Sequence, residues 1–468
     1  MKYSILIFGL FIAVIGSGQV TLTDAIKYAT DNSEYSDFIV SGFKKSELEN
    51  LAFRKNYRPY LFSNGNIPSF NKDNFAVVQP DGTVNFLGRS QDNSYLNLGI
   101  SQPLYLTGGT ISLNTDLTRH DDLMRKSIRY NGTPFFIKLS QPLFGFNKLK
   151  WDKKIEPIKL REATFKYRED MEELKYEICR LFFRVIEAQE NQRLAQVNLE
   201  NSITNLSIEK RKTQIGTSTE DKVNYFEIRK LVNEQQVEEY KSTVKKNLLV
   251  LRSAIKSDDT GVVQLQLPET LPAFNLNTDN VLSLAKSNLS SYISFERERF
   301  EALRNISDAK SKGRQINLTA SYGLNNAENT IPAIYKNPNN QQRFNIGFSI
   351  PIFDWGRTKT GVEIAKIEQT KTDIANKIEE AKLITEITNL VSDMDDFKRN
   401  VARTLSIDTL SLKRYNAINR LYQLGRANLL ELQAAQVEKD QARRNYVMAL
   451  RQFWETYYLL KTKTVVDF

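Results

Sequence analysis

Apolar and polar positions alternate with period two in two short stretches of this chain and recur at helical spacing in two very long ones. Phe135, Ile137 and Leu139 fall on one side of an extended segment whose other side carries Phe136, Lys138 and Ser140. Phe344, Ile346 and Phe348 stand in the same relation to Asn345, Gly347 and Ser349. Downstream of each strand the period changes: Leu174, Ile178, Leu181, Val185 and Ala188 follow helical spacing, as do Leu383, Ile387, Leu390, Met394 and Phe397. The helical pattern runs from Lys148 to Gln214, with Pro157 early in it, and again from Thr358 to Gln423. At about 1.5 Å per residue each predicted helix reaches about 100 Å. Each ends at a glycine, Gly216 or Gly425, and the pattern then resumes, with Val223, Phe226 and Leu231 to Leu251 in one case and Leu429, Leu432, Tyr446, Leu450, Phe453, Tyr457 and Leu460 in the other. Two antiparallel helical hairpins packed as coiled coils are expected, with the glycines at their tips.

The two patterns are one pattern repeated. Phe135 to Phe144 aligns without a gap on Phe344 to Phe353; Pro142 and Pro351 differ by 209, and so do Gly216 and Gly425. Further upstream, Ala25-Ile26-Lys27-Tyr28-Ala29 with Asn32 matches Val281-Leu282-Ser283-Leu284-Ala285 with Asn288 at an offset of 256. These open helical stretches that run to about Lys55 and Lys312 and pass into strands near Tyr60 and Ile316. The two offsets differ by 47, which places an insertion of that size within residues 62–133. It carries alternating strands of its own, Leu96 to Ile100 and Ile111 to Asn114, about a hairpin turn at Thr107-Gly108-Gly109-Thr110, and Ser101-Gln102-Pro103 echoes Ser140-Gln141-Pro142. Four strands are expected from the first half and two from the second.

Alternation by itself suits a strand between core and solvent as well as one between lipid and a wet lumen. The amino terminus narrows the choice: Lys2 precedes the apolar run Ile5 to Ile15, and Gly16, Ser17 and Gly18 lead into Gln19. That is a secretory signal with cleavage expected after Gly18, too short for a membrane span; a retained anchor helix is the alternative. After residue 18 no stretch approaches the ~20 apolar residues of a spanning helix, and the mean hydropathy is −0.44. An exported protein of this kind is periplasmic, secreted or an outer-membrane β-barrel.

The remaining composition mostly excludes. The chain has 468 residues with a formal net charge of +10, but its Lys and Arg are interspersed with Asp and Glu along helices, as in Glu169 to Arg180. This is the pattern of solvated helix faces and not of a nucleic-acid stripe. The single histidine, His120, stands beside Asp121 and Asp122 in what reads as a loop, so multi-histidine metal sites and Ser-His-Asp triads lack their parts. No Walker loop or Gly-rich dinucleotide turn is present. Carboxylate pairs such as Asp395-Asp396 are what helices rich in Asp and Glu produce freely, so neither an enzyme nor a cofactor is expected. Cys179, the only cysteine, falls on the apolar side of a helix and reads as a core residue.

With these elements in place the chain resembles the TolC-like outer-membrane efflux protein family, the outer-membrane factors of tripartite efflux and type I secretion systems. The residues that carry the resemblance are Ser140-Gln141-Pro142-Leu143-Phe144, Ser349 to Arg357, and Tyr422 to Gln436 at the second tip. The resemblance implies an α+β membrane protein: a homotrimeric outer-membrane β-barrel continued by a long α-helical periplasmic tunnel, with two duplicated halves per chain. It implies a passive exit duct for small toxic molecules, docked on a periplasmic membrane-fusion adaptor coupled to an inner-membrane efflux transporter. Export of a polypeptide by a type I system is the alternative within the family. Outside it stand a soluble periplasmic coiled-coil scaffold and a secreted polysaccharide-active enzyme. The expected organisation is a signal peptide at 1–18, a first repeat at 19–257, a linker at 258–277, a second repeat at 278–462 and a tail at 463–468.

By the same resemblance the tips Ile215-Gly216-Thr217 and Leu424-Gly425-Arg426 are adaptor-docking turns. Pro142 and Phe144, with Pro351, Phe353, Trp355 and Gly356, are strand-to-helix junctions. At the periplasmic gate, Glu431 stands where the family has a constricting carboxylate and Tyr422 where it has a gate tyrosine. The chain departs from the family at Ala427, in place of a gate arginine with Arg426 adjacent, at Ala434, in place of a second carboxylate, and at Lys222, in place of an aspartate with Asp221 and Glu220 beside it. These departures suggest a latch of Lys222 with Glu431.

Overall fold

The computed structural model describes residues 19–256, 264–274, 276–313 and 315–466. The expected signal peptide lies outside these residues, as does part of the expected linker. The duplication is visible in the order of elements. Helices α1 (Leu22–Asn32) and α2 (Glu34–Lys55) lead into a set of strands and then into the hairpin of α3 (Lys148–Gln214) and α4 (Glu220–Ile255). Helices α5 (Thr278–Asn288) and α6 (Ser290–Ser311) lead into a second set and then into α8 (Arg357–Gln423) and α9 (Leu429–Thr464). The two long helices have 67 residues each and their return helices 36 each. Among the described residues no helix is long and apolar enough to cross a membrane.

The first half supplies β1 (Tyr60–Asn66), β2 (Phe70–Val78), β3 (Val84–Leu104), β4 (Gly109–Asp122) and β5 (Ser127–Leu143); the second supplies β6 (Gln315–Glu328) and β7 (Asn339–Ser349), with one short helix, α7 (Ile331–Ile334), between them. That is one strand more than expected from the first half. The extra strand, β2, pairs Phe70 to Val78 with Asp92 to Val84 and makes β3 far longer than its apolar core predicts. The pattern hid it because polar residues such as Lys72, Asp73, Asn74, Arg89 and Gln91 interrupt both strands. His120 is likewise in a strand and not in a loop: it pairs across β4 with Arg129 and with Asn93, whose Oδ1 lies 3.0 Å from its Nδ1. Backbone ladder bonds on both sides outweigh the loop-like His120-Asp121-Asp122 triplet.

All seven strands form one antiparallel sheet in the order β1, β3, β4, β5, β6, β7, with β2 beside β3 above β1. The chain falls into two compact units, described separately. One, residues 44–163 and 291–379, holds the sheet and the helix ends that enter it; Arg297 there bridges Glu162 at 2.6 Å and Glu301 at 2.8 Å, tying α6 to α3.

The other unit comprises the described residues of 1–43, 164–290 and 380–468. Its core is the coiled-coil stripe: Ile178, Phe182, Phe183 and Val185 of α3, Ile387 and Met394 of α8, and Tyr446, Leu450 and Phe453 of α9 are fully or almost fully buried. Cys179 belongs to this core, and burial pushes its thiol well up. The extended segment before α5 packs on α9: Trp454 donates to the Pro268 carbonyl at 3.0 Å, and Phe274 stacks on Phe453 and Tyr457.

Candidate functional site

The sheet turns the usual distribution of polarity inside out. On one face the register sets Ile100 beside Leu113, Ile137 and Tyr322, and Ile111 beside Leu139, Ala320 and Phe344. Most large apolar side chains of this face are exposed, from Leu96 at 37% to Leu61 at 77%. On the opposite face, Asn97, Ser101, Asn114 and Thr133 are buried, with Asn114 only 6% exposed. Gly99 and Gly323 open that inner face: an added Cβ would meet the Phe62 ring at 2.7 Å and Phe136 Cβ at 2.4 Å. A water-soluble sheet buries the face that is exposed here; a membrane barrel exposes it to lipid and keeps polar side chains within.

The register also places every strand-to-helix junction at one end of the sheet, because Tyr60 pairs with Ser101, Leu104 with Gly109, Leu143 with Ile316 and Gln315 with Ser349. At that end Phe144, Phe353 and Trp355 are strongly exposed, and Pro142 and Pro351 close the strands that precede α3 and α8. Asp354 starts α8 by accepting from the Gly356 and Thr358 amides, both at 2.9 Å. Trp355 and Gly356 take left-handed backbone at φ 54° and 81° to make the turn. Exposed aromatics at the rim of an apolar band are the residues of a membrane–water interface.

The two hairpin tips are built alike. Gly216 donates to the Thr213 carbonyl and Thr217 to that of Lys212, as Gly425 does to Tyr422 and Arg426 to Leu421. Both glycines are left-handed, at φ 77° and 74°, and nothing lies within 4 Å of an added Cβ at either. This is the Schellman closure of a helix, and it leaves Ile215 and Leu424 projecting into solvent. Gly216→Ala and Gly425→Ala should each lower stability by about 1–2 kcal/mol through backbone conformation alone. Gly361→Ala, in the helical interior of α8 with equal space, should instead raise it by about 1 kcal/mol. Thermal midpoints of the three purified variants check this; equal shifts at all three would exclude the conformational origin.

The expected gate residues divide in two. Glu431 and Asp221 are exposed, and among the described residues no ion pair joins Lys222 to Glu431. The Glu431 carboxylate instead accepts from the Asn428 amide at 2.9 Å while its own amide donates to the Asn428 side chain, a capping box that starts α9. Tyr422, by contrast, is buried against Phe226, 5.9 Å between ring centres, in a core shared with Leu206, Tyr415, Leu432 and Ala435. Burial and the charge of Glu209 raise its phenol well above the usual tyrosine range.

Glu209 leads to residues that sequence reasoning passed over. Asn198, Ser202, Asn205 and Glu209 follow one another on α3 at spacings that share a face, and all four are buried, Glu209 to 1% exposure. Each reaches another helix or the tip turn. Asn198 donates to Asp440 at 2.6 Å and accepts from Lys439 at 3.1 Å. Ser202 accepts from Asn233 of α4 at 2.8 Å, and Asn205 donates to Asn419 of α8 at 3.4 Å. Glu209 accepts from Ser218 and pairs with Lys212 at 3.3 Å, whose ammonium lies 5.4 Å from the Tyr422 ring centre. Lys439 is buried with Asp440 3.0 Å away and sits 4.5 Å from the centre of the Tyr415 ring, whose phenol burial and Asp440 push up to about 12. The signal was four polar residues at coiled-coil spacing where the stripe calls for apolar ones. Such residues in a coiled coil cost stability and set the register of the helices.

A second tie binds the same helices. Arg443 of α9 donates to Glu190 of α3 at 3.0 Å and to Asp408 of α8 at 3.3 Å. Burial raises the Glu190 carboxyl, but Arg443 and Arg193 more than offset it and hold it below the usual carboxylate range. A depressed folded-state value means the contribution is complete above the unfolded value, about 4.3, and is lost as pH falls through the folded one. Arg443→Met should therefore be less stable at neutral pH and lose less on acidification below that value. Chemical unfolding of both proteins across this range reads the difference, and parallel curves would remove the assigned role of Glu190.

The fold thus combines a lipid-compatible sheet with two long helical hairpins that are laced together by buried polar groups. Residues 298–461 match the model of the outer membrane efflux protein family. No curated protein matches the sequence. Solved structures share the fold over 95% of this chain: CusC at 14% identity, TM-score 0.68 and 91% of its own length; the Campylobacter jejuni CmeC outer membrane channel at 13%, 0.67 and 85%; and VceC of Vibrio cholerae at 12%, 0.65 and 96%.

Proposed function

We propose that three copies of this chain form an outer-membrane exit duct that passively conducts small toxic molecules delivered by a periplasmic adaptor and an inner-membrane pump. The observation that carries the reading is the reversed polarity of the sheet, apolar outside and polar within. The free edges of the sheet, β1 and β7, support the assembly, since an open edge in hydrocarbon leaves backbone groups without partners. Closing β7 on β1 of a neighbouring copy satisfies both. The helical hairpins form the periplasmic part, where exposed Ile215 and Leu424 offer the adaptor a small apolar foothold at each tip. The polar seam around Asn198, Glu209 and Tyr422 holds the two hairpins of one chain together, and in this reading it keeps the periplasmic end closed at rest; the exposure of Glu431 and Asp221 leaves them free for contacts between copies. No chemistry is assigned to the chain, and energy comes from the pump.

Deleting the chain from its host should raise susceptibility to several toxic compounds, and a plasmid-borne copy should restore resistance. Unchanged susceptibility with a polypeptide retained inside the cell would move the reading to type I secretion. Protein released from membranes without detergent would remove the duct altogether and favour a soluble scaffold.

A further inference from the structure

The number of strands that each chain gives to the wall follows from the duplication and the register together. In each half one strand is entered from a helix, β1 after α2 and β6 after α6, and one leads into a long helix, β5 before α3 and β7 before α8. A wall made of these duplicated strands alone would hold four per chain and twelve in three chains. The structure places two more, β3 and β4, between β1 and β5. We infer that β3 and β4 are full members of the barrel wall and that the duct closes at eighteen strands, an inference that rests on the trimeric duct proposed above.

Three observations carry it. First, β3 and β4 are laddered on both sides: β3 to β1 through Tyr95 to Ser101 and to β4 through Gln91 to Leu104, and β4 to β5 from Thr110 to Asp122. A hairpin folded into the lumen or lying on the outside would leave β1 next to β5. Second, the inside-out polarity continues through both strands without a break. Leu96, Leu98 and Ile100 of β3, and Ile111 and Leu113 of β4, are exposed on the apolar face, while Asn97, Ser101 and Asn114 are buried on the other. A plug surrounded by water has no use for an apolar face. Third, six is even and the path is antiparallel throughout, so β7 of one copy meets β1 of the next antiparallel, as closed outer-membrane barrels require. β2 adds nothing to the count, because it occupies the same side of β3 as β1, beyond it, and pairs with residues Val84 to Asp92 that extend past most of β4.

The consequence is a wider bore. Strands about 4.8 Å apart and tilted by about 40° give eighteen a wall radius of roughly 18 Å and twelve a radius of roughly 12 Å. The barrel then resembles the 16–18-stranded class that leaves an open aqueous channel. It imposes no size limit on drug-sized solutes, and it admits bulkier ones, including extended polypeptides or sugar polymers. Selection by size lies elsewhere in the duct.

Single-particle electron microscopy of the detergent-extracted full chain tests this directly. A threefold particle with eighteen wall strands is expected. A threefold particle with twelve, and β3 and β4 outside the wall, would overturn the inference while leaving the duct intact. A particle without a threefold barrel would overturn both. Spin labels in vesicles give an independent answer: Leu98→Cys and Leu113→Cys should be relaxed by oxygen and shielded from an aqueous nickel complex, and Asn97→Cys the reverse. Aqueous access at Leu98 and Leu113 would place the pair off the wall.

Discussion

Asp440→Leu should destabilise the helical unit by about 3–5 kcal/mol, because it strands a buried charge. Lys439 is 5% exposed and its ammonium has two polar partners, Asp440 at 3.0 Å and Asn198 at 3.1 Å, beside the Tyr415 ring. Removing the carboxylate leaves the ammonium with a neutral amide and an aromatic face, and Asn198 without its acceptor at 2.6 Å. Asp440→Asn keeps a hydrogen-bonding group for Asn198 and should fall between wild type and Asp440→Leu. The double variant Lys439→Met/Asp440→Leu removes both charges and should recover most of the loss, since apolar replacement of a buried pair is often neutral. Circular dichroism during chaotrope unfolding reads all three midpoints. A single and a double variant of equal stability would show that the pair is not coupled. The seam joins α3 to α9, so in the duct proposed above, loosening it should raise resting conductance in planar bilayers before it unfolds the helices.

Ile137→Arg should cost about 2–4 kcal/mol of barrel stability if the apolar face meets the middle of the bilayer. Ile137 is laddered to Leu113 and Tyr322 on the exposed apolar face. Thr319→Arg, on the opposite face between Ser140 and Asn345, puts the same charge on the polar face and should change stability little. The asymmetry between faces is the diagnostic, because a soluble sheet with one exposed face accepts arginine at Ile137 without loss. Folding into lipid vesicles at graded urea concentration measures it. Equal tolerance at the two positions would remove lipid from the apolar face.

The elements and their duplication were legible in the sequence. Strand and helix periods differ by nearly a factor of two, so Phe135 to Leu139 and Leu174 to Ala188 announce themselves locally, and glycines at 216 and 425 mark turns only they make without strain. The 47-residue mismatch between the two repeat offsets places extra residues within 62–133, and alternation there marks the middle of β3 and of β4. What the sequence left open was decided by contacts between distant residues. Whether the apolar face of an alternating strand is buried or exposed depends on what covers it, and only the sheet shows Ile137 outside and Asn114 inside. β2 and the strand placement of His120 follow from ladder bonds that local polarity masks. The polar seam follows from pairings such as Asn198 with Asp440, 242 residues apart, and spacing on α3 cannot name partners on α9. Local periodicity determines what each segment becomes; burial, pairing and charge compensation are sums over the whole chain, and the tertiary structure alone assigned them.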